Sequence, residues 1–293
     1  MTRSLPILLL AFSASVSSLY CTEPTRLCYS APVGTAVRYE ATSTLGQSLT
    51  VMGREVISEV TTKLGLTVTV KERIMQRCSL QIAWSDGQLT TRTIGNEQDS
   101  HTDSTMRVPT FGLTQEILLA PNGIEISRQT ISETPQQVEV LAMIRATKIP
   151  EHLFITLPSS NVVPGFRWTQ AIADTSAAPQ GRGSVITSGT ATYTYRGVAD
   201  TLGKQCWIIE IASNDLTQRG TLYGAAIAMR IDGSGSMHGI SLLEARTGLL
   251  LQSQSQLQTQ VVMASSDQNN ANIVVPVHSQ VNVVINRVES KGW

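Results

Sequence analysis

The chain has 293 residues, 41% of them hydrophobic and only 15% charged, with 22 Lys and Arg balanced by 22 Asp and Glu. A formally neutral chain carries no electrostatic footprint for nucleic acid or an anionic membrane surface, because such partners recruit clustered cations. The polar content is Ser, Thr and Gln rather than Lys and Glu, which argues against charged helical bundles and, with Val, Ile and Thr, for a mainly β protein.

Taken in order, the chain opens on Arg3, an apolar run from Leu5 to Phe12 and small residues up to Ser18. That is the order of a secretory signal peptide, expected over 1–18. The run is short of the roughly 20 residues a membrane-spanning helix needs. Export to a periplasm or cell surface follows. Cys21 raises lipid anchoring there, but the bulky Tyr20 precedes it, so an anchor is not the expected state. Arg287, Glu289 and Lys291 alternate before Trp293 where a lipid-facing barrel strand would need apolar residues.

Residues 30–133 read as a first β-rich half. "TAVRYEATST" and "LGLTVTVKERIMQ" alternate as strands do. "SLQIAW", Asp86-Gly87 and "QLTTRTI" predict a hairpin, since Asp-Gly supplies the positive φ of a tight turn. "GNEQDSHTDSTMR" reads as a polar surface loop, and its Asp99, His101, Asp103 and Ser104 as solvated residues rather than a triad. "TQEILLA", "PNG" and "IEISRQT" predict a second hairpin.

A connector helix is expected over 134–149. Thr134 is an N-cap, Pro135 takes the first helical position, and Gln137 completes a capping box. Val138, Leu141 and Ile144 form the expected apolar face, which would cover an open sheet face and line any apolar ligand site.

Residues 150–290 read as a second β-rich half. "FRWTQAIADT", "TATYTYRGV", "KQCWIIEIAS", "AAIAMRIDG" and "GLLLQSQSQLQTQVVM" are predicted strands. "IDGSGSMHG" reads as a β-turn, because no helix follows to make it a phosphate cradle. Pro276 in the final strand implies an edge or a bulge. Arg38-Tyr39 and Arg167-Trp168, and likewise Cys78 and Cys206, recur at offsets agreeing to within one residue, which points to duplicated halves. Neighbours in a strand face opposite ways, so Tyr39 and Trp168 are expected inside and the arginines outside.

Four cysteines in an exported chain suggest disulfides: Cys21 with Cys28, and Cys78 with Cys206 across the seam between halves, the alternative being buried free thiols. No metal site, cofactor or catalytic residue is expected. No CxxC occurs, and His101, His152, His238 and His278 are scattered.

The signal, "LPSSNVVPGFRW", the Cys-bearing strand and "DGSG…LEARTG" together resemble uncharacterised exported bacterial proteins of duplicated β-units, grouped as domains of unknown function. They are also similar to the half-barrel carriers of lipoproteins, in which a curved antiparallel sheet closed by a helix holds acyl chains. The resemblance implies a non-enzymatic binding protein for a lipid or other apolar molecule. The other expectation is a structural or interaction domain of the cell envelope, with an envelope protein as partner and a filled core.

Overall fold

The computed structural model describes residues 23–51, 53–74, 77–94, 101–131, 134–177, 183–223, 228–265 and 274–288. The expected signal peptide, Cys21 and Trp293 lie outside these residues. Twelve strands form one antiparallel sheet: β1 (Ala36–Val51), β2 (Arg54–Ile74), β3 (Arg77–Ile94), β4 (His101–Val108), β5 (Thr114–Leu119), β6 (Glu125–Ile131), β7 (Arg167–Ala177), β8 (Gly183–Thr201), β9 (Lys204–Tyr223), β10 (Ala228–Glu244), β11 (Leu250–Ser265) and β12 (Val274–Val288). Their order is β6-β5-β3-β2-β1-β12-β11-β10-β9-β8-β7, with β4 beside β3. The sheet is mainly β as expected, and it is not closed into a barrel. β6 and β7 are its free edges, and β1 meets β12 at its middle.

Alternation sets the inner face. Val37, Tyr39 and Ala41 on β1, Leu64 to Val70 at every second residue on β2, and Leu80, Ile82 and Trp84 on β3 are all buried. Arg38 and Arg167 are exposed, as strand geometry requires. Tyr39 lies inside, its hydroxyl donating to the Leu250 carbonyl at 2.9 Å. Trp168 is only half-buried, because β7 is an edge whereas β1 has neighbours on both sides.

The connector helix, α1, spans Pro135–Ala146 and carries the expected capping box: Thr134 Oγ1 accepts from the Gln137 amide, and Gln137 Oε1 accepts from the Thr134 amide. It ends earlier than expected. Thr147 caps it, Lys148 takes a left-handed conformation (φ 61°), and a short 3-10 turn follows over Ile149–His152. Together with the N-terminal strap from Glu23 to Thr35 and the crossing segment 153–162, these pieces form a plug. Leu27, Tyr29, Leu141, Ile144, Ile155 and Leu157 from it join the same core cluster as the sheet. Backbone bonds tie the plug down: Tyr29 N to Pro121 O at 3.0 Å, Ser30 N to Thr247 O at 2.9 Å, and Leu157 N to Asn122 O at 2.6 Å. Gly123, in the β5–β6 turn, has φ 82° and sits where a Cβ would run into the Ile155 carbonyl and the Tyr29 ring, so only glycine lets the hairpin press on the plug.

Several local expectations are corrected. Asp86-Gly87 is a bulge inside a continuous β3, and the pairing with β2 slips between Lys63 and Gly65 opposite it. On the other side β3 changes partner at the same place, from β5 (Cys78–Ala83) to β4 (Gly87–Ile94). Asp86 Oδ1 accepts from the Thr110 amide at 2.8 Å and Oδ2 from Arg107, fixing the link between the two partners; the Thr110 bond above all holds its carboxyl below the usual carboxylate range. A turn and a bulge demand the same residue types, so Asp-Gly alone does not separate them. The supposed surface loop is in part β4, which brings His101, Asp103 and Ser104 onto a strand and leaves Asp99 outside the described residues. "IDGSGSMHG" runs within β10, where Gly233 and Gly235 allow the β11 backbone to approach closely. Pro276 is on an interior strand, but past the last β1–β12 pair (Leu49 with Val277), so the missing amide interrupts no bond to β1.

Cys28, Cys78 and Cys206 are free thiols, the last two buried. The seam runs between β1 and β12. Cys78 on β3 and Cys206 on β9 therefore stand away from it on opposite arms, so no Cys78–Cys206 disulfide forms. The expected Cys21–Cys28 pair lies partly outside the described residues.

Candidate functional site

Length creates the site. β2, β8 and β9 run 19 to 21 residues, roughly 60–70 Å of extended chain, and the plug fills only part of the concave face they form. Beyond it the inward positions of the second arm stay apolar without a covering layer. They enclose a cleft of about 680 Å³, within the usual range for small-molecule sites. Ile172 on β7, Val185 on β8, Ile211, Leu216 and Leu222 on β9, Ile231 and Met237 on β10, Leu257, Val261 and Met263 on β11 and Val277 on β12 line it. Gln170, Thr187, Gln218 and Ser279 add neutral polar atoms.

The segment 148–156 forms one wall and carries Lys148 and Glu151, with Asp174 of β7 beside them. Lys148 Nζ binds Asp174 Oδ2 at 2.5 Å and Glu151 Oε1 at 3.0 Å. Burial lowers the Lys148 affinity for a proton, but the two carboxylates outweigh it and the net shift is upward. For Asp174 burial pushes up, and the Lys148 bond and charge win, leaving its carboxyl below its ordinary value. Burial raises Glu151, with Lys148 opposing. The left-handed turn at Lys148 is what redirects its side chain from the end of α1 toward β7.

His152 Nε2 lies 3.1 Å from Ser255 Oγ. Burial, helped by Lys148, pushes the His152 ring down to about 4, so it is neutral and a poor base near pH 7. The nearby carboxylates of Glu151 and Asp174 pair with Lys148. Because the folded value lies below the unfolded one of about 6.5, the unfolded chain takes up a proton first as pH falls. His152 is expected to cost roughly 1–3 kcal/mol of stability between pH 6.5 and 4, and His152→Gln to flatten that part of the pH–stability curve measured by urea unfolding.

Of the three residues expected to line an apolar site, none faces this cleft. Leu141 lines a smaller cavity of about 300 Å³ between β5, β6, α1 and the plug, and Ile144 is fully buried in the core. Val138 is 49% exposed. The buried stripe of α1 is Gln137, Val140, Leu141 and Ile144, and Val138 lies outside that stripe. The cleft lies past the helix, under residues that carry no helical periodicity. Lys148, Glu151, His152 and Asp174 were missed because their signal is a three-dimensional meeting of the plug with edge strand β7. Among the described residues no group of three or more His, Cys, Asp or Glu converges as a metal site. No helix among them is long and apolar enough to cross a membrane.

No protein-family model matches the chain, and no curated protein matches it. Among solved structures, one of lipid–protein interactions in lipovitellin is similar at 10% identity and a TM-score of 0.46, over 89% of this chain. This chain spans only 26% of that one. OmpF of Salmonella typhi in complex with daunomycin is similar at 7% identity and a TM-score of 0.24, over 87% of this chain and 98% of that one. A DUF1329 family protein from Desulfovibrio piger is similar at 10% identity and a TM-score of 0.15, over 85% and 84%. With every identity at 10% or less and every TM-score below 0.5, these likenesses assign neither a family nor a ligand.

Proposed function

We propose that this is an exported, non-enzymatic binding protein that holds an apolar ligand, such as a lipid acyl chain, in the cleft of the second arm. The observation that carries the reading is the apolar, uncovered stretch of concave sheet beyond the plug, enclosing about 680 Å³. Aliphatic side chains from six neighbouring strands point into one space, where contact with water is unfavourable and contact with an acyl chain is not. Export rests on the signal-like order of residues 1–18. A non-enzymatic role rests on the neutral, weakly basic His152 and on carboxylates tied to Lys148. A filled-core envelope scaffold, the competing reading, gives no reason for such a cleft. Native mass spectrometry of protein purified from a membrane-bearing host is expected to show an added lipid-sized mass lost on harsher activation. Bare protein under the mildest conditions would count against the carrier reading.

A further inference from the structure

We infer that the cleft selects ligands whose polar end is uncharged, and discriminates against anionic ones such as free fatty acids. This rests on the reading that the cleft holds an apolar chain. The charged residues lining the cleft are Lys148, Glu151 and Asp174, and His152 beside them is a neutral ring near pH 7. Among the described lining residues Lys148 is the one cation, and its ammonium is held by Asp174 at 2.5 Å and by Glu151 at 3.0 Å. The site is therefore one negative charge in excess before any ligand enters.

An incoming carboxylate meets two like charges and, among the described lining residues, finds no cation to pair with unless it displaces Asp174 or Glu151. Displacement strips a carboxylate of its partner beside an apolar cavity, which is unfavourable in itself. A hydroxyl or ester head meets no such repulsion. It finds neutral hydrogen-bonding partners on the lining, among them Gln170, Thr187 and Gln218, which can donate to it or accept from it without a charge being left unpaired. The backbone is left-handed at Lys148 (φ 61°), between α1 and the 3-10 turn that carries Glu151.

The test is competition for a fluorescent apolar probe in the full chain at pH 7.5, using ligands with one chain length: palmitate, hexadecanol and 1-monopalmitoylglycerol. The two neutral ligands are expected to compete at least about tenfold better than palmitate. Asp174→Asn removes the excess charge and loosens the hold on Lys148, so it is expected to improve palmitate relative to hexadecanol at least about threefold; circular dichroism checks that the variant is folded. Palmitate binding as tightly as the neutral ligands in the unaltered chain would overturn the charge selection while leaving the carrier reading standing. If no ligand displaces the probe, or the probe itself does not bind, the carrier reading falls and this inference falls with it.

Discussion

Leu257→Trp combined with Val261→Trp is expected to weaken binding of an apolar probe by roughly 30-fold or more while leaving the sheet intact. Both residues lie on β11 and both line the cleft. Two indole rings there occupy space that a ligand needs, and overpacking by a large side chain costs about 1–3 kcal/mol at each position once a ligand is forced in. Summed over two sites, that is roughly one and a half to four powers of ten in affinity. β11 also supplies its own control. Val262, the next residue, is 45% exposed on the other face of the sheet and pairs with Pro276. Val262→Trp is expected to leave probe binding within about twofold of the unaltered chain, within the usual scatter of surface substitutions. Equal losses from both sets, read by fluorescence titration, would mean that binding is not inside the cleft.

The second large effect concerns the plug. Tyr29 is 3% exposed, and its hydroxyl both donates to the Ile155 carbonyl at 3.0 Å and accepts from the Ile155 amide at 2.7 Å. One side chain from the strap thus satisfies both backbone groups of a residue on the crossing segment. Tyr29→Phe keeps the ring but leaves an amide and a carbonyl without this partner in the core, at about 1–3 kcal/mol each, so roughly 2–5 kcal/mol of stability should be lost. For a chain of 293 residues that corresponds to about 3–8 °C in Tm by calorimetry. Tyr39→Phe offers the comparison: its hydroxyl serves only the Leu250 carbonyl, and about 1–2 kcal/mol is expected. If both substitutions cost the same, the double bond to Ile155 does not hold the plug as described.

These expectations show where the residues spoke for themselves. Thr134, Pro135 and Gln137 announced α1 because capping is local chemistry, satisfied within four residues whatever lies around it. The β5–β6 hairpin was legible for the same reason, since Pro121, Asn122 and Gly123 form a turn on their own terms. Arg38 and Tyr39 separated onto two faces because alternation admits nothing else.

Features that depend on a distant partner were not legible. Asp86-Gly87 serves a bulge because β3 must change neighbours from β5 to β4 there, and nothing nearby in the chain announces that change. The glycines of β10 look like a turn until the close approach of β11 is seen. The cleft is the extreme case. Alternation along β11 places Leu257 and Val261 on one face, but that the plug stops short of them depends on how long strands and distant segments meet in space. Its charged wall joins residues 148–151 to Asp174, and Lys148 reaches it through a left-handed turn that ordinarily falls to glycine.

The most direct test of the central claim is photo-crosslinking with an acyl chain bearing a terminal diazirine, mapped by peptide mass spectrometry. Labels are expected to concentrate on inward residues of β9 to β12, Met237, Leu257, Val261 and Met263 foremost, and to be suppressed by excess hexadecanol. Labels spread over outward residues such as Ile240 and Val262, or insensitive to the competitor, would contradict it.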